Sequence, residues 1–342
     1  MADSRTELSQ LGEFGLIRRL ASQVPFRHPS TRQGIGDDAA VLDVSTQSLL
    51  LSTELLLEGI HFDLSYAPLK HLGYKAVVVA ISDILAMNGE PAHLTVGLGL
   101  SNRFSLEAVD ELYAGIYAAC QQYGVELVGG DTTASRAGLV LSISATGYAE
   151  SERLTYRRGA RANDILCVTG DLGAAYLGLQ LLEREKQVFL ENPADQPQLE
   201  GHEYVLQRQL KPEARLDVIR QLRELNVQPT AMIDLSDGLA SDLLHLTGES
   251  SLGANVYEDQ LPVHAKTYLA ATELNLSPVT AALNGGEDYE LLFTIRQEDY
   301  QTLLDQTTDV SFIGYLTNEP GQVNLLTKTG EAVPITAPGR TA

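Results

Sequence analysis

The sequence predicts a mixed α/β protein of two domains, on three observations. The chain has 342 residues, more than one ordinary hydrophobic core organises. Short aliphatic and β-branched runs alternate with longer segments at helical spacing. A polar patch, Glu150-Ser151-Glu152-Arg153, interrupts the alternation near the middle. It sets the expected boundary, with one domain over residues 1–150 and the other over 151–342.

Taken in order, residues 7–21 carry Leu8, Leu11, Ile17 and Leu20 near helical spacing, which predicts an opening helix. A polar loop over 25–33 follows. Strands are expected at 39–44 and 48–53, then a loop over 54–62. Pro68 opens a helix to about residue 88. A strand at 92–100 leads to a helix over 105–123, with Ser105 as N-cap. The strand at 125–128 ends in Gly129-Gly130-Asp131, and 139–148 alternates as a sheet strand should.

The second half opens with the basic loop Thr155-Tyr156-Arg157-Arg158. A strand at 165–169 turns through Gly170-Asp171-Leu172-Gly173 into a helix ending near residue 184. Residues 186–201 lack periodicity and read as an exposed insertion, and 215–225 is helical. Ile233-Asp234-Leu235-Ser236-Asp237-Gly238 passes from a strand end into a helix reaching about residue 247. Strands at 254–257, 291–295, 310–315 and 323–326 close the second sheet.

Composition narrows the function. A net charge of -21 repels phosphate backbones, so no nucleic-acid partner is expected. Cys120 and Cys167 are the only cysteines, which implies no disulfide framework. Residues 1–10 are polar, without a signal peptide, and no apolar run reaches the ~18 residues a membrane helix needs. A cytoplasmic protein with no membrane contact is the expectation.

Acids recur beside glycines or at element ends: Asp37 and Asp38 after Gly34-Ile35-Gly36, Asp83, Asp131, Asp234 with Asp237, and Glu287 with Asp288. Asp83 interrupts a helix that is otherwise apolar from Ala76 to Met87, save Ser82. An unpaired carboxylate is expensive there, and Lys75, eight residues back, lies roughly 12 Å away along the axis. Asp83 therefore needs either a metal or hydrogen-bond donors from elsewhere. Asp234 and Asp237 read equally as a metal clamp or as first-turn acids complementing a helix dipole. Carboxylate oxygens suit Mg²⁺ or Mn²⁺. No Cys/His cluster suits zinc, and the chain contains no Gly-Lys pair and hence no Walker A loop. Bringing ATP against a phosphate acceptor costs about 4 kcal/mol per charge pair at ~4 Å and an effective dielectric near 20. Several acid-held Mg²⁺ ions would offset that repulsion.

Six segments in one order complete the reading: GIGDDAAVL from Gly34, EGIHFDL from Glu58, SDILAM from Ser82, VGGDTT from Val128, IDLSDGL from Ile233 and NGGEDYELLFT from Asn284. Over about residues 12–316 they resemble the thiamine-monophosphate kinase family of the aminoimidazole-ribonucleotide-synthetase-like superfamily. The resemblance implies direct transfer of the ATP γ-phosphoryl group to thiamine monophosphate, with catalysis through metals at Asp38, Asp83, Asp131 and Asp234. It places Asp38, Ser52, Thr53, Glu54, Asp83, Asp131, Asp234 and Asp237 at Mg²⁺ positions. Tyr113, Gly130, Asp131, Arg157 and Ser236 fall at nucleotide positions, and His61 and Glu287 at thiamine-phosphate positions. It further implies a homodimer whose amino-terminal strands share a β-barrel, and a carboxy-terminal α/β sandwich. The alternatives are another ATP-using member, of the amidine-ring synthetase type, or a non-catalytic acidic metal-binding protein. Two departures stand out. Glu54 occupies the place of the family's usual Asp, and no aromatic residue follows Tyr315 to close over the substrate.

Overall fold

The first sheet takes six strands: β1 (Thr31–Gln33), β2 (Ala40–Val44), β3 (Gln47–Leu57), β4 (Glu90–Leu100), β5 (Glu126–Ala134) and β6 (Val140–Glu150), in the spatial order β1-β2-β3-β6-β4-β5. The structure is a computed structural model that describes residues 31–33, 37–44, 47–194 and 196–337. The expected opening helix lies outside them, as do the glycines at 34 and 36. All pairings in this sheet are antiparallel except β4 with β5.

Helix α1 (Leu69–Ala86) begins directly after Pro68, and its residues from Leu72 to Ser82 are all buried. Its surroundings explain the all-apolar pattern: α1 is a central helix, with protein on every side. Helix α2 (Leu106–Tyr123) starts as expected on Ser105, whose hydroxyl accepts from the Ala108 amide at 3.3 Å. The two helices cross at glycines. A Cβ on Gly73 would strike the Leu112 carbonyl, and one on Gly115 the Lys70 carbonyl.

Two sequence expectations for this sheet are corrected. Strand β3 does not stop at residue 53 but runs to Leu57, paired with β6 along its whole length from Gln47↔Glu150 to Leu57↔Val140. Leu55-Leu56-Leu57 shows no alternation because apolar residues stand on both faces of this end of β3. Ser48, Leu50, Ser52 and Leu56 face inward, while Leu51 and Leu55 remain 40% and 52% exposed. Strand β5 likewise continues through Gly129-Gly130-Asp131, paired parallel with Val96 and Gly97 of β4. Asp131 therefore stands within a strand and not at its end.

The second sheet contains β7 (Ile165–Thr169), β8 (Ala231–Asp234), β9 (Gly253–Tyr257), β10 (Leu291–Ile295), β11 (Val310–Thr317), β12 (Val323–Leu326) and β13 (Ala332–Pro334), ordered β13-β12-β9-β11-β7-β10-β8. Strand β10 is buried at every residue, the mark of a strand covered on both faces. Phe293 and Ile295 join the large core that includes α1, while Leu292 joins a second core with Val168 and Ile233. Helix α1 is thus the element against which both sheets pack.

Helices α3 (Ala174–Glu191), α4 (Glu203–Leu210), α5 (Leu216–Glu224), α6 (Leu239–Ser250), α7 (Ala265–Glu273), α8 (Pro278–Asn284) and α9 (Tyr300–Gln306) cover this sheet and its edges. Helix α3 extends seven residues beyond the expected end, so only the later part of 186–201 is loop. The sequence reading missed α4, α7, α8 and α9, which are short and bury few apolar residues each. Among the described residues, no helix is long and apolar enough to cross a membrane.

Candidate active site

Neighbouring residues of α1 reach into both sheets. The Ser52 hydroxyl of β3 donates to Asp83, and the Ser82 hydroxyl donates to Asp234 at the end of β8 at 2.6 Å. Asp38, just before β2, completes a group: one carboxylate oxygen each of Asp38, Asp83 and Asp234 lie within 4.8 Å of one another. The sequence spreads these three acids over almost 200 residues, and α1 draws them together.

One guanidinium faces them. Arg157 binds Asp38 in bidentate fashion, Nε to Oδ2 and Nη2 to Oδ1, both at 2.8 Å. Its amide donates to Asp37 at 3.3 Å. Three carboxylates against one Arg leave the site short of positive charge. Burial, followed by the charges of Asp234 and Glu54, pushes the Asp83 carboxyl well above its ordinary range. Burial and the charge of Asp38 raise Asp234 to about 7, and the same two causes raise Asp37 to about 7. Carboxylates and hydroxyls form an oxygen-only donor set, which fits a hard divalent cation such as Mg²⁺.

The other expected metal residues distribute unevenly. Alternation along β3 puts Ser52 and Glu54 on the face toward α1, where Glu54 acts on both Asp83 and Asp234. The Thr53 side chain points to the opposite face, where it bonds Ser144 Oγ at 3.0 Å and the Ile143 carbonyl at 3.3 Å. Burial raises the Asp237 carboxyl above its ordinary range, and the charge of Arg157 offsets part of that rise. Asp131 is exposed on β5 and does not belong to the three-carboxylate group. Among the nucleotide positions, Gly130 packs on Val96 and Ser236 is exposed in the loop after β8. Tyr113 lies on α2 with its ring 5.7 Å from that of Tyr117. Within the single chain, only Arg157 of this set reaches the carboxylates.

His61 and Glu287 share a cavity of about 520 Å³ that also includes Phe62, Asp63, Tyr66, Lys75, Tyr176, Glu183 and Lys186. The Leu57 amide donates to His61 Nδ1 at 3.0 Å, so a neutral ring carries its proton on Nε2. Glu287 is held by Lys75 at 3.2 Å and Gln209 Nε2 at 2.7 Å. Its backbone is left-handed, with φ 65°, and Tyr289 follows at φ 51°. Such strain persists only where surroundings over-determine it. The Glu287 amide bonds the Ser236 carbonyl at 2.8 Å, and Tyr289 and Leu235 bond through their backbones at 2.9 Å. Gly286 lies against the Ser236 carbonyl and Gly285 against Tyr176, where a Cβ would intrude at 2.5 and 2.6 Å. Asp288 accepts from the Gly173 amide at 2.8 Å, and Glu290 pairs with Arg208 at 2.8 Å. One loop thus carries Glu287 to the cavity and is stitched to the segment holding Asp234.

Sequence reasoning missed Tyr66, Tyr176, Glu183 and Lys186. On α3, residues 176, 179, 180 and 183 line the cavity at helical spacing, a signal that resembled an ordinary core-facing stripe. Phe62, Tyr66 and Tyr176 give the cavity aromatic lining.

Comparison with known proteins places this arrangement. Residues 36–149 match the family of the AIR synthase related protein, N-terminal domain, and residues 161–324 its C-terminal domain. The chain is similar to the thiamine-monophosphate kinase of Aquifex aeolicus, 35% identical over 305 residues, covering 88% of this chain and 91% of the relative. It is 31% identical over 326 residues to the Bacillus subtilis thiamine-monophosphate kinase, covering 94% and 96%. A solved structure of AaThiL complexed with AMPPCP and TMP superposes with a TM-score of 0.82 at 32% identity, covering 97% of both chains. The fold and the site define an enzyme of the AIR synthase related class. Within it, the chain belongs to the thiamine-monophosphate kinase family.

Proposed function

We propose that the protein transfers the γ-phosphoryl group of ATP directly to the phosphate of thiamine monophosphate, giving thiamine diphosphate and ADP. The observation that carries this reading is the group of Asp38, Asp83 and Asp234, drawn from both sheets, beside a cavity whose Glu287 loop is bonded to the Asp234 segment. Phosphoryl transfer is mostly positioning and charge stabilisation, and a phosphate acceptor already ionised needs no general base.

Asp38, Asp83 and Asp234 would hold Mg²⁺, with Ser52, Glu54, Asp131 and Asp237 completing the sites and Thr53 offering only its backbone. Bound there, Mg²⁺ neutralises charge between the two phosphate esters. Arg157, now paired with Asp38, has the planar fork for a nucleotide phosphate. Gly130, Asp131, Ser236 and Tyr113 are assigned to the nucleotide by family position, and His61 and Glu287 to the acceptor. Residues 1–150 are assigned as the amino-terminal ATP- and Mg²⁺-binding and dimerisation domain and 151–342 as the carboxy-terminal α/β domain, with the metal group and the cavity each drawing residues from both. Two copies associate through the outer face of the first sheet, where Leu51, Leu55 and Val128 are exposed.

The test is to incubate the purified protein with Mg-ATP and thiamine monophosphate and to quantify thiamine diphosphate and ADP. Equimolar formation of both is expected. Consumption of ATP only with a formylglycinamidine ribonucleotide would assign the chain to the amidine-ring synthetases, and metal binding without any turnover would reject catalysis.

A further inference from the structure

The charged groups around the cavity do not cancel. Asp63, Glu183 and Glu287 oppose Lys75 and Lys186. Lys75 is committed to Glu287 at 3.2 Å and to the Gln209 carbonyl at 2.9 Å. Lys186 pairs with Asp63 at 2.7 Å and with Glu183 at 3.4 Å, and its ammonium lies 5.7 Å from the centre of the Tyr66 ring. One lysine thus serves two carboxylates, and the excess negative charge is shared by Asp63 and Glu183, of which Glu183 has the longer pairing and a side chain 40% exposed. The Tyr66 hydroxyl donates to Glu183 at 2.6 Å and fixes that carboxylate beside its own ring. Tyr66 comes from the loop before α1 and Glu183 from α3, so the pair spans 117 positions of sequence.

An aromatic face next to a carboxylate whose lysine is shared with a second acid suits a further cation, one whose charge is delocalised over a ring. It suits a phosphate poorly, since like charge repels. We infer that Tyr66 and Glu183 are specificity-determining residues that hold the cationic ring system of the acceptor; this rests on the thiamine-monophosphate reading given above. The acceptor then lies with its charged rings in the cavity and its phosphate toward the aspartates. Discrimination against phosphate esters of neutral rings follows from the same carboxylate.

The experiment measures equilibrium binding of two ligands to the full chain with Mg²⁺ and a non-hydrolysable ATP analogue. The ligands are thiamine monophosphate and 4-methyl-5-(2-hydroxyethyl)thiazole phosphate, a phosphate ester whose ring is uncharged. Glu183→Gln should weaken thiamine monophosphate about tenfold (~1.4 kcal/mol) and leave the neutral-ring ester within about twofold, with KM for ATP unchanged. Glu183→Asp should recover part of the loss, and Tyr66→Leu should cost more than Tyr66→Phe. Equal weakening of both ligands would mean that Glu183 merely supports the cavity wall, and no change in either would remove it from recognition. Wild type that forms no thiamine diphosphate rejects the function itself, whereas active wild type with unaltered preference in Glu183→Gln rejects this inference alone.

Discussion

Asp83 occupies a helix that is otherwise apolar from Ala76 to Met87 save Ser82, and two further carboxylates approach it from outside. A charge so placed costs several kcal/mol unless a proton or a cation compensates it. The sign of its pH dependence follows. Asp83 and Asp234 bind protons more tightly folded than unfolded, so their contribution to metal-free stability is fullest below the unfolded carboxylate value near 4 and falls as pH rises toward 7. Asp83→Asn should flatten that dependence and leave the metal-free melting temperature at pH 8 equal or higher. It should also lower kcat/KM by at least about 100-fold, as loss of a group acting on transition-state charge does. Thermal melts across pH and steady-state kinetics check both, and a variant that melts earlier while keeping its turnover contradicts the assignment. Asp83 was legible in the sequence because an acid inside an apolar helix violates the pattern around it. Tyr66 and Glu183 were not, because each alone matches an ordinary surface or helix residue and only the fold brings them together.

The elements that position these residues were read with uneven success, for identifiable reasons. Helix α1 was plain from its apolar run and from Pro68, and α2 from its cap. Strand β3 outruns its expected end because its last residues, Leu55-Leu56-Leu57, are apolar on both faces and lose the alternation by which strands are recognised. Strand β5 runs past its expected end because two glycines resemble a turn in sequence, whereas here Gly130 lets β5 lie close on Val96 of β4. The α1–α2 crossing gives a prediction at this scale. Alanine at Gly73 would place a methyl on the Leu112 carbonyl, which is backbone and cannot rotate away. Gly73→Ala should destabilise the protein by about 1–3 kcal/mol in denaturant unfolding, while Gly124→Ala, where a Cβ meets nothing within 4 Å, should cost only its left-handed backbone strain. Equal losses would mean that the close crossing is not what Gly73 serves.

Across the whole molecule, the fold class followed from length and alternation, and the family from six short segments in order. The packing of both sheets on α1 was not readable, since contacts between distant segments leave no local period. The outer face of the first sheet bears on assembly. Leu51, Leu55 and Val128 are 40%, 52% and 59% exposed on it, and such apolar patches mark protein contacts. Leu55→Arg should convert a species of twice the chain mass to one of single mass in analytical ultracentrifugation, and a wild-type protein already of single mass contradicts the dimer. The central claim is that Asp38, Asp83 and Asp234, gathered from both sheets, hold the divalent cations of phosphoryl transfer. The direct measurement is anomalous diffraction from crystals grown with Mn²⁺ and a non-hydrolysable ATP analogue. The account predicts a manganese peak within coordination distance, about 2.0–2.3 Å, of oxygens from these carboxylates. Full nucleotide density with no manganese on any of the three would contradict it.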